Sequence, residues 1–196
     1  MVNTQVMKKE CVFLSKEPFD FNEQKRKGDK GELDFYKEFS PMTSWLDGVH
    51  GDVCLCNTIP VEIKSDERSG QTGNFFIEKY SSKRDKKLGG PYKAVEDECT
   101  LFVQYNILER EFYFFNPENL ANFTEENYRK LAVHGDIGVD VPNKGYTTWG
   151  HAIPIKYLTP LCLGIWKIGS GDVQQKTKFI HDVLTNLAIQ KGILTE

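Results

Sequence analysis

The sequence lacks any run of about 18 consecutive apolar residues, the shortest length that suits a membrane-spanning helix. Its opening segment, MVNTQVMKKECVFLSK, also lacks the continuous apolar core of a secretory signal peptide. These two absences predict a soluble, cytoplasmic protein with no membrane partner.

Cysteine is scarce and odd in number, with five residues in a chain of 196. Such a set does not form a disulfide framework in a protein of this size, so free thiols in a reducing cytoplasm are expected. Cys54 and Cys56 are the only close pair, and they would share one face of a strand. A zinc site would need two further ligands, which the four histidines do not offer at a recognised spacing.

An excess of positive charge is also missing, because the formal net charge is -3. A protein that wraps duplex DNA non-specifically is usually clearly basic. Any nucleic-acid contact must therefore depend on local basic patches, or on metal ions that offset acidic ligands. Aromatic residues, by contrast, are plentiful, with 13 Phe, 8 Tyr and 3 Trp, which argues against disorder over most of the length.

Hydrophobic periodicity predicts an α/β (α+β) fold with a central mixed or antiparallel sheet flanked by helices. Residues 1–27 are interpreted as an N-terminal arm, and a helix is expected to open at Asp29 as its N-cap. Two strands, DVCLC and IPVEIK, predict an antiparallel hairpin, and GNFFIEKY at 73–80 predicts a third strand.

Weaker signals follow the basic, flexible loop that is expected after the third strand. Residues 134–150 look like a loop, and 172–192 look like an amphipathic C-terminal helix closed by Gly192. The other expected elements are a weak helix at 92–99, a hairpin of 100–107 with 111–116, one or two short helices in 117–132, and a late strand at 162–168.

The hairpin carries charged residues among apolar ones. Because side chains alternate along a strand, Glu62 and Lys64 point one way while Val61 and Ile63 point the other. Asp52, at the start of the partner strand, is expected nearby. Two acids and a cation on adjacent strands are what metal-assisted hydrolysis of a phosphodiester requires.

These residues resemble the PD-(D/E)xK nuclease superfamily, and more closely its small phage and prophage endonucleases. The likeness rests on Asp52, the VEIKSD strand, the GNFFIE strand and the stretch GGPYKAVEDECTLFVQY, and it covers residues 28–116. It implies a restriction-endonuclease-like core within a single nuclease-like domain, 28–196, in which 117–196 form a C-terminal elaboration. It also implies a phage-infected or prophage-bearing bacterial host.

The resemblance implies a role for each site residue. Asp52, Glu62 and the backbone carbonyl of Ile63 would bind Mg²⁺, for which Mn²⁺ could substitute, and Lys64 would position water or stabilise negative charge. Glu32 would hold a metal-bound water or a second ion, and Glu78 would bind through water or orient Lys64. The sequence departs from the family pattern at Gly51, where Pro is usual, and around Asp97, whose role stays open.

Plainer interpretations compete with these roles. Asp52 could be a turn residue, and Glu62 with Lys64 could form an exposed charge pair. Glu32 could form a capping box with Asp29. In addition, Glu78 could pair with Lys79 or Lys83, and His50 could be an incidental loop residue.

The expected activity is hydrolysis of DNA rather than RNA, with branched, recombination or replication intermediates as candidate substrates. The basic residues that would contact phosphates are Lys25, Arg26, Lys27, Lys83, Arg84, Lys86 and Lys87. Tyr80 and Tyr92 are candidates for stacking on unpaired bases. The alternative is a binding protein that uses a nuclease-like fold without cutting, and a homodimer is compatible with either function.

Overall fold

The fold was analysed in a computed structural model that describes residues 21–46, 50–143 and 145–195. Residues 1–20 of the expected N-terminal arm therefore lie outside the described part of the chain. Within the described part, no helix is long and apolar enough to cross a membrane.

Helices and strands follow one another along the whole described chain. Two short 3₁₀ turns, Gly135–Ile137 and Thr159–Leu161, supplement them. In chain order the elements are α1 Phe21–Glu38, β1 Thr43–Trp45, β2 Val53–Leu55, β3 Ile59–Asp66, α2 Ser69–Thr72, β4 Asn74–Ser82, β5 Lys87–Leu88, α3 Gly90–Glu96, β6 Leu101–Asn106, β7 Glu111–Phe115, α4 Pro117–Leu131, β8 Val139–Asn143, β9 Tyr146–Pro154, α5 Ile155–Leu158, β10 Gly164–Lys167 and α6 Val173–Gln190.

The strands form two sheets. The larger is a six-stranded mixed sheet in the order β1-β2-β3-β6-β7-β10, in which β3 and β6 pair in parallel and the other described neighbours pair antiparallel. The smaller is a four-stranded antiparallel sheet in the order β5-β4-β9-β8. The expected α+β architecture, a mixed sheet flanked by helices, is confirmed.

The first helix begins earlier than expected. It starts at Phe21, so residues 21–27 are helical, and Asp29 lies inside the helix rather than at its N-cap. The assignment of Asp29 as a cap was therefore wrong, and so was the capping box with Glu32. The segment NEQKRK contains mostly good helix formers, and it extends the helix through Gly28 and Gly31.

The predicted hairpin of β2 and β3 is confirmed, with Val53 opposite Val61. Its turn covers residues 56–58, between the paired Leu55 and Ile59, and contains Cys56 and Asn57, both at positive φ. Cys54 is buried in β2 whereas Cys56 is exposed in the turn. The expectation that the two cysteines share a strand face was therefore wrong.

Two other expectations need correction. The strand at 73–80 exists as β4, but it belongs to the second sheet, where it pairs with β9. The region expected to be a loop contains β8 and most of β9. Its Gly and Pro residues suggested a loop, yet Gly138 is needed because a Cβ there would lie 2.6 Å from the ring of Trp149. The segment is a pair of strands because β9 pairs with β4 and β8 pairs with β9, whatever its Gly and Pro content suggests.

Two apolar clusters cover the two faces of the larger sheet. On one face, Phe35 of α1, Phe39 directly after α1 and Val183 of α6 pack on β3, β6 and β7. On the other face, Phe102 and Phe115 pack with residues of α3, α4 and the smaller sheet. Because β3 contributes Val61 and Ile63 to the first cluster, its alternate residues face the smaller sheet.

Candidate functional site

Asp52 directly precedes β2, at the end of that strand where its pairing with β3 stops. Its backbone N–H donates to the carbonyl of Val61 at 2.9 Å. Its carboxylate then accepts a hydrogen bond of 2.7 Å from the backbone N–H of Ile63. The side chain thus continues the ladder of the sheet beyond the end of β2 and is held beside Glu62. Asp52 is therefore not merely a turn residue.

Glu62 and Lys64 share the β3 face that is directed toward the smaller sheet. Lys64 Nζ lies 3.2 Å from Glu78 Oε2 on β4, so one ion pair links the two sheets. Glu62 is only 6% exposed. The interpretation of Glu62 and Lys64 as an exposed charge pair was wrong, since Glu62 is buried and the resolved partner of Lys64 is Glu78.

Glu78 does not pair as the plainer interpretation proposed. Lys79 instead contacts Glu125 at 2.9 Å, and Lys83 contacts Asp140 at 2.7 Å. The buried carboxylate of Glu78 forms its ion pair with Lys64 instead. Gly89 lies against this carboxylate, because a Cβ at that position would be 2.1 Å from Glu78 Oε1.

Glu32 reaches the same site from α1. It is half-buried, and its pKa is raised by burial and by the negative charges of Asp29 and Glu62. The helix comes very close to β3 at this point, because a Cβ on Gly31 would lie 1.9 Å from Ser65 Oγ. A glycine directly before Glu32 therefore allows its carboxylate to approach the strand.

These residues border one cleft of about 450 Å³. One wall is α1, the floor is β3 with Gln104 of β6, and the other wall is the smaller sheet. The side chains that line it are those of Glu32, Asp52, Glu62, Ile63, Lys64, Ser65, Asp66, Glu67, Arg68, Asn74, Phe76, Glu78, Ser81, Gln104, Ile107, Val141, Asn143, Tyr146, Thr148 and Ala152.

The acids of the cleft repel one another in a poorly hydrated setting. Burial raises the pKa of Asp52 to about 6, although the hydrogen bond from Ile63 lowers it. Burial and the neighbouring charge of Asp52 raise the pKa of Glu62. Negative charge here is costly, and a bound cation would relieve that cost.

Asp66 differs from these acids although it also lines the cleft. Its carboxylate accepts backbone hydrogen bonds of 2.9 Å from Arg68, 2.9 Å from Ser69 and 3.2 Å from Phe76. These bonds join the end of β3 to α2 and β4. Asp66 is therefore a structural residue of the connection.

Lys93 of α3 belongs to the site, and the sequence interpretation missed it. Its Nζ lies 3.2 Å from Glu62 Oε2 and also contacts Asp97, one helical turn later. Burial lowers the pKa of Lys93, but the hydrogen bond to Asp97 and the charge of Glu62 outweigh it, so the pKa is raised. The i, i+4 spacing of Lys93 and Asp97 was a visible signal of a pair, whereas the contact with Glu62 was not.

The remaining candidates lie at the margin. His50 Nδ1 is 3.3 Å from the carbonyl oxygen of Asp97 on an exposed surface. Tyr92 donates its hydroxyl to Glu125 at 2.6 Å, and the ring of Tyr80 lies 5.8 Å from that of Trp149. Both tyrosines therefore have partners within the fold.

The basic segment after β4 forms the β4–β5 connection. Lys83 and Arg84 have acidic partners, Asp140 and Asp85, while Lys86 and Lys87 are exposed. A second depression of about 440 Å³, lined in part by Lys83 and Arg84, shares Asn143 and Tyr146 with the cleft. On α1, Lys25 and Arg26 are exposed, and the side chain of Lys27 lies outside the described part of the chain.

The donor set limits which metal the cleft could hold. Among the described residues, no group of three or more His, Cys, Asp and Glu side chains is placed to hold a metal ion. Mg²⁺ does not require such a group, because one or two carboxylates and several waters suffice. The carboxylates of Asp52 and Glu62, which line the same cleft and repel each other, fit that hard cation, and a site built from thiolates or imidazoles is not indicated.

Compared with known proteins, the sequence matches no protein-family model and no curated protein. What the cleft can do chemically must therefore be inferred from its own side chains. It brings together the repelling carboxylates of Asp52 and Glu62, a third carboxylate from α1, and Lys64. Lys93 contacts Glu62 from α3, beside the cleft.

Proposed function

We propose that this protein is a divalent-metal-dependent nuclease that hydrolyses phosphodiester bonds in DNA. One observation carries the proposal: the hydrogen bond from Ile63 holds the Asp52 carboxylate beside Glu62, on a cleft that also contains Lys64. Two carboxylates with a cation next to them suit a reaction in which negative charge develops on a phosphate.

In this proposal Asp52, Glu62 and the Ile63 carbonyl hold Mg²⁺ or Mn²⁺, and Glu32 holds a bound water or a second ion. The Ile63 N–H points toward Asp52, and the carbonyl of a strand residue points to the same side as its N–H. The carbonyl is thus directed to the edge where Asp52 lies. A bound divalent cation would supply charge neutralisation and a water of lowered pKa.

Lys64 acts as a fixed positive charge. The Glu78 carboxylate, together with Glu62 and Asp52, raises the pKa of Lys64 despite its burial. Lys64 therefore stays protonated at neutral pH and is suited to stabilising a phosphate oxygen or orienting water rather than accepting a proton. Glu78 is the residue that orients it.

The proposed relationship to the PD-(D/E)xK superfamily is supported by α1, by the acidic strand β3 between β2 and β6 in one mixed sheet, and by the second helix α3. The same relationship favours the cytoplasm of a phage-infected or prophage-bearing bacterium as the setting. Lys86, Lys87, Lys25 and Arg26 are the exposed cations that would contact phosphates. A homodimer would allow both strands of a duplex to be cut.

The test is a cleavage assay on labelled duplex, single-stranded and four-way-junction DNA and on RNA, with Mg²⁺, Mn²⁺ or EDTA. We expect Asp52→Ala and Lys64→Ala to lose cleavage and EDTA to abolish it. Asp182→Ala is the control, because Asp182 lies on the exposed surface of α6 and pairs with Lys178.

Cleavage that survives EDTA and both substitutions would contradict the proposed mechanism. Metal-independent binding without cleavage of any substrate would favour the alternative of a non-cleaving nucleic-acid-binding protein. Calorimetric titration with Mn²⁺ adds an independent readout, because the proposal requires a metal site that Asp52→Ala weakens.

A further inference from the structure

An exposed aromatic pair, formed between α1 and β1, lies outside the set of residues that line the cleft. The rings of Tyr36 on α1 and Trp45 on β1 are 4.6 Å apart and almost parallel, with an interplanar angle of 9°. Trp45 is 49% exposed even though it is held in this stack. About half of the Trp45 surface is therefore open to solvent while one face of its indole stacks on Tyr36.

The position of the pair relates it to the acidic site. Tyr36 follows Glu32 by four residues, so the two side chains lie on one face of α1, about 6 Å apart along the helix axis. Trp45 is paired with Val53, the residue directly after Asp52, and the N–H of Leu46 donates to the carbonyl of Asp52 at 3.3 Å. The pair is thus connected to the acidic site through both α1, which carries Glu32, and β1, which pairs beside Asp52.

Positive charge lies on the same helix face, on the other side of Glu32. Lys25 precedes Glu32 by seven residues, which is two helical turns or about 10 Å, and its side chain is exposed. A basic group, an acidic metal-binding group and an aromatic stack therefore follow one another along α1. Proteins that bind single-stranded nucleic acid combine these features, with cations along the backbone and aromatic rings under the bases.

We infer that Trp45, backed by Tyr36, is a stacking site for an unpaired nucleobase of the substrate. The inference rests on the proposed function and deepens it, because it assigns the substrate class: DNA that presents unpaired nucleotides near the cut, as single strands, overhangs and branch points do. A fully paired blunt duplex has its bases stacked on one another and offers none to Trp45.

The test measures equilibrium binding of labelled oligonucleotides in EDTA, so that it does not depend on cleavage. Wild type, Trp45→Ala and Trp45→Phe are compared on a 20-nucleotide single strand, on the same strand with abasic spacers in place of bases, and on a blunt duplex. Tyr157→Ala is the matched control, because Tyr157 is an exposed aromatic residue on α5. Thermal unfolding verifies that each variant is folded.

We expect Trp45→Ala to bind the intact single strand about 5- to 150-fold more weakly, the range that one base–aromatic stack supplies. Its affinity for the abasic strand and the duplex should match wild type, and Trp45→Phe and Tyr157→Ala should retain most of the affinity. Equal weakening on all three ligands, no weakening at all, or no single-strand binding by wild type would each overturn the inference. A change in sedimentation caused by Trp45→Ala alone would assign the pair to a protein interface instead and would also overturn it.

Failure of the stacking site is distinguishable from failure of the proposed function. If wild type and Trp45→Ala cleave all substrates equally in Mg²⁺, the nuclease remains and the stacking site is rejected. If wild type cleaves nothing but Trp45→Ala still loses base-dependent binding, the stacking site remains and the nuclease is rejected.

Discussion

The carboxylate of Asp52 accepts a 2.7 Å hydrogen bond from the backbone N–H of Ile63, the residue between Glu62 and Lys64. This bond attaches the side chain of the residue directly before β2 to the edge of β3. It also couples the position of one proposed metal ligand to the backbone that carries the other.

Asp52→Asn separates function from stability. The amide oxygen can still accept the bond from Ile63, but the buried negative charge is lost. Since burial raises the pKa of Asp52 to about 6, the charge opposes folding at neutral pH. We expect cleavage to fall by at least about 100-fold, while the free energy of unfolding in EDTA rises by about 1–3 kcal/mol. Denaturant unfolding at pH 7.5 measures the second effect, and a loss of stability would contradict it.

Lys93→Met removes the positive charge that lies between Glu62 and Asp97. We expect the metal-free protein to lose about 1–3 kcal/mol of stability, because a buried carboxylate loses its partner. Millimolar Mg²⁺ should restore part of that loss by supplying a replacement charge. Thermal unfolding with and without Mg²⁺ checks both statements.

Lys79→Met is the matched control for this effect. Lys79 pairs with the exposed Glu125, so its removal should cost less than about 1 kcal/mol. Mg²⁺ should give no selective recovery there. Equal rescue of the two variants would show that the metal does not act at Glu62.

Asp140→Asn tests the basic segment after β4. Asp140 holds Lys83 at 2.7 Å, so Lys83 is partly neutralised in the protein as it stands. Releasing it should tighten DNA binding and make the slope of log K against log salt steeper by up to about 0.9. Lys86→Gln should act in the opposite direction, and anisotropy titrations at several salt concentrations measure both. An unchanged slope in both variants would place the DNA elsewhere.

Gly31→Ala tests the close approach of α1 to β3. A Cβ on residue 31 would lie 1.9 Å from Ser65 Oγ and 3.2 Å from Ser65 Cβ, so the Ser65 side chain must rotate or the helix must move away from the strand. We expect a loss of about 1–3 kcal/mol in stability, as for other overpacked sites, and reduced cleavage because Glu32 shifts with the helix. Ser65→Ala in the same chain should recover part of both losses. Absence of any recovery would mean that the clash is relieved in another way.

His151 makes stability depend on pH. The ring is buried, stacks on Tyr128 at 4.3 Å, and has a lowered pKa because burial disfavours its charged form. The unfolded chain therefore binds the proton more readily than the folded one. As pH falls below about 6.5, wild type should lose stability relative to His151→Phe, which keeps a ring but cannot titrate. Unfolding curves from pH 7.5 to 5 measure the difference, and a constant difference would contradict the assignment.

Local patterns in the sequence were sufficient for the hairpin and its charges. The alternation in VEIK predicts that Glu62 and Lys64 share a face, because successive strand residues point in opposite directions whatever surrounds them. The short turn at 56–58 then sets the register that brings Asp52 beside Glu62. Both effects act over a few residues, which is why they could be predicted.

Contacts between distant elements could not be predicted in this way. The pairing of Lys64 with Glu78 depends on β4 leaving the first sheet, and that of Glu62 with Lys93 depends on how α3 packs. The stack of Trp45 on Tyr36 likewise requires β1 to lie along α1. The sequence alone determined which charged residues share the β3 strand, because strand periodicity is local. Only the tertiary structure decided which partners hold them, because those partners come from separate elements brought together by burial of the two apolar clusters.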